Sequence, residues 1–348
     1  MSSLENNSHV ASEVASEVER IANASSFSGV VRVDFGDGQV FERAYGFAHR
    51  GHGLPNTVHT RFGIASGTKG LTALTVMSLV EDGTLSLDTT ARSLLGDDLP
   101  LIAGDVTIEH LLGHRSGIGD YLDEIAMGDV SDHVMTVPVH QLATVEAALP
   151  VLAGYDTAFA AGSRFTYCNG GYVVLALLAE RAAAVSYHDL VAQRVCAPAG
   201  LAATDFPRSD EPEGQMATGY LHADGLRTNV LHLPVRGLGD GGAYSTVADM
   251  HALWLALFAG RIVSTRTVAE MVRPRSTTTS GNDRYGLGFW LHRTNDAVQL
   301  EGYDAGVSFR SVHHPRSGLT HTVIANTSEG AWPVANRLGA LLDPLAGD

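Results

Sequence analysis

The hydrophobic positions near the start of the chain predict one helix followed by a β-hairpin. Apolar residues from Val10 to Ile21 recur at the spacing of one helix face, and this pattern ends near residue 23. Two alternating stretches, 29–35 and 40–45, then flank a Gly-Asp-Gly turn at 36–38 and predict a pair of antiparallel strands.

Further along, the pattern changes from helical to strand-like. Amphipathic runs with helical spacing fill the middle of the chain: 70–82, 107–112, 142–149, 171–184 and 187–195. Thr246 and Asp249 form a capping box that predicts another helix over 247–259. Three strand-like runs and a closing helix complete the chain: 285–292, 307–313, 320–326 and 332–342.

Strands at both ends of the chain, with helices between them, predict an α/β fold of the α+β kind. The strands would form one antiparallel sheet flanked by the terminal helices, with a mostly helical domain inserted. We therefore expect a sheet-containing lobe from residues 1–65 and 235–348, a helical lobe from 66–234, and an active site in the cleft between them.

The composition excludes several kinds of partner. Of 348 residues, 23 are basic and 38 acidic, so the net charge is −15 and phosphate backbones would be repelled. No apolar run approaches the ~18–20 residues of a membrane-spanning helix, and no export signal is visible at the start. We expect a cytoplasmic protein without nucleic-acid or membrane partners. Cys168 and Cys196 do not make a disulfide framework, and no pattern indicates the oligomeric state.

One basic residue differs from the others in its type. Lys69 is a lysine, whereas the other 22 basic residues are arginine. The pKa of a buried lysine falls readily, while arginine stays charged. Ser66 lies three positions earlier at the start of a helix, so both side chains share one face and the lysine could take the serine proton. The alternative is that Ser66 only caps the helix and Lys69 is solvated.

A second motif, Tyr167-Cys168-Asn169, precedes another helical run. The tyrosine hydroxyl could enter a cleft, and the amide two residues later could bind a substrate carbonyl or amide. Taken alone, the tripeptide is better explained as a helix cap at Asn169.

Together these motifs resemble those of the penicillin-recognising serine hydrolases, which include class C-like β-lactamases, D-Ala-D-Ala carboxypeptidases, D-amino-acid amidases and esterases. The resemblance covers nearly the whole chain. Residues 108–117 are similar to the family's LLxHxSG stretch, 167–179 to its Tyr-Ser-Asn helix, and 241–250 to its GGxxSTxxDM cap. It implies a class C β-lactamase-like fold.

The resemblance also implies roles for single residues. Ser66 would be the acylated nucleophile, and Lys69 the base or charge that activates it. Tyr167 would protonate the leaving group and activate water for deacylation, while Asn169 would hold the acyl side of the substrate. No metal or organic cofactor is implied.

The third family motif, Lys-Thr-Gly or His-x-Gly, is where the chain departs from the family. The best match is 302–306, with Tyr303 in the place of the cation, Ala305 in the place of the glycine, and a register that could be off by one. The N–H of Gly306 would complete the oxyanion hole with that of the nucleophile. Tyr303 carries no charge to hold a substrate carboxylate, and Asp304 adds a negative one. Unless Arg310 turns into the site, this favours an uncharged ester or amide, or a substrate with an amine.

We therefore predict a serine hydrolase that works through an acyl-enzyme on Ser66, with esterase or amidase activity on small esters, amides or peptides, D-amino-acid substrates included. Two alternatives stay open. One is a β-lactamase or D-Ala-D-Ala carboxypeptidase, and the other is a penicillin-binding relative with little turnover.

Other patterns are weaker. His110 and His114 are one helical turn apart, but the acidic residue precedes the pair, so a structural role for His114 and no metal site are expected. His313-His314 ends a strand and is expected on the surface. The glycine-rich segment 237–242 follows no clear buried parallel strand, which favours a turn lining the cleft over a nucleotide site.

Overall fold

The computed structural model describes residues 3–36, 38–124, 128–278 and 283–346, with the side chains described from Val10 onward. Asp37, in the middle of the predicted hairpin turn, lies outside these residues.

The strands come from both ends of the chain and join in one large antiparallel sheet. Those in the described residues are β1 (Gly29–Phe35), β2 (Gly38–Tyr45), β3 (Phe47–His49), β4 (Leu54–Pro55), β5 (Phe62–Gly63), β6 (Tyr244–Ser245), β7 (Ser276–Thr277), β8 (Asp283–Tyr285), β9 (Trp290–His292), β10 (Val298–Asp304), β11 (Val307–His314) and β12 (Leu319–Ala325). The large sheet has the order β2-β1-β12-β11-β10-β9-β8-β7, while β3 pairs with β4 and β5 with β6. Gly29 lies opposite Ala325, which joins the first hairpin to the last strand.

Helices cover both faces of this sheet. They are α1 (Ser3–Ser25), α2 (Thr68–Glu81), α3 (Ala91–Leu95), α4 (Ile108–Leu112), α5 (Leu149–Leu152), α6 (Asn169–Ala183), α7 (Tyr187–Val191), α8 (Ala197–Ala199), α9 (Val247–Phe258), α10 (Thr265–Met271) and α11 (Ala331–Ala346). Val14 and Val18 of α1 share a core with Leu338 and Leu342 of α11 and Val31 of the sheet. On the opposite face, α9 packs against β1 and β12. The predicted fold class is confirmed. The division at residues 65 and 235 stays a prediction.

Some local predictions were wrong for physical reasons. The predicted helix over 142–149 is a 3₁₀ turn, Glu146–Ala148, before α5, because Pro150 is tolerated only in the first turn of a helix. The predicted strand over 285–292 is split into β8 and β9 by a turn in which Gly288 has φ 92°. The segment of β10 was not predicted as a strand, because its apolar positions are too few to stand out.

The pair His313-His314 is buried, although the sequence predicted it on the surface. The two residues are 3% and 0% exposed. Helices pack against both faces of the sheet, so both sides of β11 are covered at this point.

Two glycines allow α2 to lie directly against β10. A Cβ on Gly70 would meet the side chain of Leu300 at 2.6 Å. A Cβ on Gly302 would lie 2.1 Å from the carbonyl oxygen of Ile64 and 3.0 Å from the backbone nitrogen of Ser66. Backbone atoms cannot move aside as a flexible side chain can, so Gly302 sets how closely β10 approaches the turn that carries Ser66.

Among the described residues, no helix combines the length and apolarity needed to cross a membrane.

Gly302→Ala should lower the free energy of unfolding by about 2–3 kcal/mol, because the new methyl group overlaps backbone atoms. Urea unfolding would measure the loss. Gly104→Ala is the matched control, since a Cβ there meets nothing within 4 Å. A Gly302→Ala protein as stable as the control would contradict the close approach of β10.

Candidate active site

Ser66 lies in the 3₁₀ turn Ala65–Gly67, between β5 and α2. Ala65 has φ 43°, a left-handed conformation that costs energy for a residue with a Cβ. The bend presents the Ser66 side chain to a cleft that it lines together with Asn169, Tyr303 and Asp304.

Lys69 is buried in the first turn of α2, and its amine donates hydrogen bonds to three acceptors. Its Nζ lies 2.8 Å from each of Ser66 Oγ, Asn169 Oδ1 and the backbone oxygen of Asp240. Burial lowers the pKa of Lys69 below its usual range, while Asp240 and other nearby carboxylates act in the opposite direction. The amine is therefore held where losing its proton is less costly than in water.

The three partners of Lys69 determine what the neutral amine can do. The Asp240 carbonyl and Asn169 Oδ1 can only accept hydrogen bonds, so they take both N–H groups of a neutral amine. Its lone pair is then left for the hydroxyl of Ser66. This arrangement suits a base that takes the serine proton.

Tyr167 is held among aromatic rings beside Lys69. Its ring stacks on Trp290 at 5.7 Å and lies 4.4 Å from the ring of His114. Lys69 Nζ lies 4.9 Å from the ring centroid. Burial raises the pKa of Tyr167 well above its usual value, with a smaller opposite effect from Ser66, so the phenol is a proton donor at neutral pH.

The amide of Asn169 is fully engaged by the protein. Its Nδ2 donates to the Leu122 carbonyl at 3.0 Å and to Glu124 Oε1 at 2.9 Å, while Oδ1 accepts from Lys69. Its backbone N–H donates to Asp120 at 2.6 Å. In this arrangement Asn169 positions Lys69 and offers no free N–H to a substrate, which differs from its predicted role.

The third motif lies three residues earlier than the sequence predicted. Gly302 is the glycine beside Ser66, whereas Ala305 is buried in a separate small cluster. The Gly306 N–H donates to Ser328 Oγ at 2.9 Å, so the expectation that it forms the oxyanion hole is corrected.

The N–H of Tyr303 is the better second donor. Asp304 lies opposite Val307 across a two-residue turn, and hydrogen-bonded pairs alternate along an antiparallel ladder. The Tyr303 N–H therefore points away from β11. It lies on the other edge of β10, where pairing with β9 ends at Gln299. This edge lines a groove with Ser66.

The side chains of Tyr303 and Asp304 point to opposite faces of β10. The ring centroids of Tyr303 and Trp332 lie 6.2 Å apart. Burial, with a smaller effect from Glu329, raises the pKa of Tyr303 to about 12. Asp304 faces the cleft. Burial, with help from the charge of Asp240, raises the pKa of Asp304 to about 7. Asp304, and not Tyr303, therefore sets the charge on the β10 side of the cleft.

Arg310 does not supply the missing cation. Its Nε donates to Glu301 at 3.0 Å, Nη1 donates to Asn336, and its guanidinium lies over Trp332.

Sequence reasoning missed the acidic lining of the cleft. Burial raises the pKa of Asp120 to about 6, and it also raises the pKa of Asp240. Tyr121 donates to Asp240 at 2.5 Å, and Glu124 lines the same cleft. The available signal was the acidic run Asp120-Tyr121-Leu122-Asp123-Glu124. No sequence spacing relates this run to the Tyr167 motif, because the two are joined only by hydrogen bonds in the folded chain.

Other sequence predictions can be located. Gly237, Asp240 and Gly241 line the cleft, as expected for the glycine-rich turn. His114 is buried, and its Nδ1 accepts from the N–H of Cys168 at 3.1 Å. Cys168 is a buried free thiol.

Comparisons with known proteins identify the family and the fold. A family described as Beta-lactamase matches residues 14–343. Penicillin-binding protein 4* of Bacillus subtilis (strain 168) is 26% identical over 304 residues, covering 83% of this chain and 65% of the relative. A D-aminopeptidase of Brucella anthropi is 27% identical over 323 residues, covering 89% and 58%. The chain thus spans only 58–65% of the length of these curated relatives.

Among solved structures, a penicillin-binding protein from Bacillus halodurans superimposes with a TM-score of 0.87. It is 35% identical, and the match covers 93% of this chain and 99% of that one.

Asp304→Asn should stabilise the protein at pH 8, and by less at pH 5. Because the pKa of Asp304 is raised from its ordinary value to about 7, its contribution to stability is fully present below about pH 4 and is lost as pH rises through about 7. The gain at pH 8 should exceed the gain at pH 5 by about 1–2 kcal/mol, because asparagine keeps the acceptor for Ala305 N–H without a buried charge.

Chemical unfolding at both pH values would measure this difference. The exposed Asp105→Asn is the control and should show no change between pH 5 and 8. Equal effects of Asp304→Asn at both pH values would show that the carboxyl is not buried as described.

Proposed function

Since the chain belongs to the beta-lactamase family and is a serine hydrolase, we propose that it cleaves small esters or amides whose acyl part carries an amine or no charge, through an acyl-enzyme on Ser66.

The charge of the cleft carries this proposal. Asp240, Asp304 and Glu124 line it, and no arginine or lysine stands among its described lining residues. Lys69 is buried beneath Ser66 with its three partners. A substrate carboxylate would meet like charges, whereas an ammonium group would be attracted.

In the acylation step, Ser66 Oγ attacks the carbonyl carbon while its proton passes to the lone pair of Lys69 Nζ. The carbonyl oxygen becomes an oxyanion and accepts hydrogen bonds from the N–H groups of Ser66 and Tyr303. The bond to the alcohol or amine then breaks, and that leaving group takes a proton from the Tyr167 hydroxyl. Lys69 returns its proton to Tyr167.

In the deacylation step, water replaces the leaving group beside Tyr167. The water attacks the acyl carbon as its proton passes through Tyr167 to Lys69, and Ser66 Oγ recovers a proton as the acid departs. Stacking on Trp290 fixes the direction of the phenol in both steps.

The D-aminopeptidase relative supports an amino-bearing substrate, since an aminopeptidase acts at a free amine. The penicillin-binding structure, at 35% identity, favours a second candidate, a penicillin-binding protein with little turnover. Benzylpenicillin separates the two, because it presents a carboxylate to the cleft. Stable penicilloylation of Ser66 would favour the second candidate.

Ser66→Ala should abolish acyl-enzyme formation, and Lys69→Arg should slow acylation by about 10²–10⁴-fold, since arginine keeps the charge but cannot accept a proton. Intact-mass spectrometry after brief exposure to a para-nitrophenyl ester would follow the adduct. Ser209→Ala is the control, because Ser209 lines the cleft and its Oγ has no hydrogen-bond partner among the described residues.

An adduct that persists in Ser66→Ala, or a Lys69→Arg protein that acylates at the wild-type rate, would contradict these roles. Equal loss in Ser209→Ala would point to general damage of the cleft.

The preference for alanine para-nitroanilide over its N-acetyl derivative should rise with pH through about 7, as Asp304 ionises. Both enantiomers would be assayed, and kcat/KM for the two substrates would be compared as a ratio at each pH. The ratio cancels the titration of Lys69, which affects both substrates equally.

Asp304→Asn should remove this pH dependence and lower the preference about tenfold, while Asp105→Asn should keep both. A ratio that does not depend on pH in the wild type would contradict recognition of the amine by Asp304.

A further inference from the structure

A second group of reactive side chains lies on the face of the sheet opposite to Ser66. His314 of β11 and His321 of β12 are 0% and 1% exposed. Asp343, in the last turns of α11, is directed at both rings. One ligand atom from each of the three residues lies within 4.8 Å of the others.

The register of the sheet brings these residues together. His321 pairs with Val312, and His314 is two positions further along the same strand, so both rings stand on the face covered by α11. His314 Nε2 lies 3.3 Å from Asp343 Oδ1, and His321 Nε2 lies 4.0 Å from it.

The polar atoms of this cluster have no hydrogen-bond partners among the described residues. Both ring nitrogens of His314, both of His321, and Asp343 Oδ1 are buried and unpartnered. Buried polar groups in native proteins are nearly always satisfied, so His314 Nε2, His321 Nε2 and Asp343 Oδ1, which lie together, need a shared partner.

We propose that His314, His321 and Asp343 bind one divalent transition-metal ion, with zinc as the best match. Two imidazoles and one carboxylate are a common set of zinc ligands. For bonds of about 2.0–2.2 Å in a tetrahedral site, ligand atoms stand about 3.3–3.6 Å apart, close to the distances from Asp343 Oδ1.

The surroundings fit a metal site in two further respects. Asp296 Oδ1 lies 3.7 Å from His314 Nδ1, which places a carboxylate behind the ring where it would fix Nε2 towards the metal. A cavity of about 70 Å³ adjoins His321 and Asp343, and His292 lines it. Water or His292 would take the fourth position.

The position of the site gives it a structural consequence. Asp343 belongs to α11, while both histidines belong to the sheet, so the metal would bind the end of the last helix to β11 and β12. This proposal does not depend on the reaction at Ser66.

The test uses the full chain without a histidine tag. After expression with zinc and extensive dialysis, elemental analysis should find about one zinc per chain. Removal with a chelator should lower the melting temperature by about 5 °C, and added zinc should restore it. Cobalt(II) added to the metal-free protein should give the visible absorption of a tetrahedral complex.

Asp343→Asn removes the charged ligand with little change of shape. It should lose at least about 100-fold in zinc affinity and the zinc-dependent rise in melting temperature, while its stability in chelator matches that of the metal-free wild type. His313→Asn is the control, since this neighbouring buried histidine is bonded to Thr320 on the other face and should leave the zinc content unchanged.

A wild-type chain that keeps no zinc and gives no cobalt absorption would overturn the proposal. Equal zinc affinity in Asp343→Asn and the wild type would also overturn it.

Discussion

The burial of the Lys69 amine is the constraint on which the rest of the site depends. A buried amine is costly without partners, and this one has three: Ser66 Oγ, Asn169 Oδ1 and the Asp240 carbonyl. These acceptors come from the turn before α2, the start of α6 and the glycine-rich loop. Satisfying one amine therefore fixes three distant segments relative to one another, and the close approach permitted by Gly302 brings β10 to the same point.

The same amine explains why acidity and catalysis are linked in this cleft. Burial lowers the pKa of Lys69, whereas Asp240, Glu124, Asp120 and Asp304 raise it. Too many ionised carboxylates would keep the lysine protonated and unable to act as a base. Burial limits the number of ionised carboxylates around the lysine, because it raises the pKa of Asp120 to about 6 and that of Asp304 to about 7. The groups that tune the base thus also set the charge that a substrate meets.

The sequence predicted the parts of the site that depend on local spacing. Ser66 and Lys69 lie one helical turn apart, so their contact follows from helix geometry alone. The third motif could not be placed this way, because Gly302 is identified only by its contact with Ile64 and by the pairing of β10. The acidic loop near Asp120 was missed for the same reason, since its role depends on long-range hydrogen bonds to the start of α6. The overall fold was predictable because strand and helix periods occupy separate parts of the chain.

The Lys69 amine and the His314 cluster differ in how their polar atoms are satisfied, and this contrast supports a metal site. On the α2 face, Lys69 Nζ and both ends of the Asn169 amide have partners supplied by the protein. On the α11 face, His314 and His321 stand beside Asp343 with their ring nitrogens unpartnered. Single unpartnered atoms such as His114 Nε2 occur elsewhere in the described residues, whereas this cluster brings several of them within 4.8 Å of one another. A metal ion would satisfy the three side chains at once, because each would direct a lone pair at the same point.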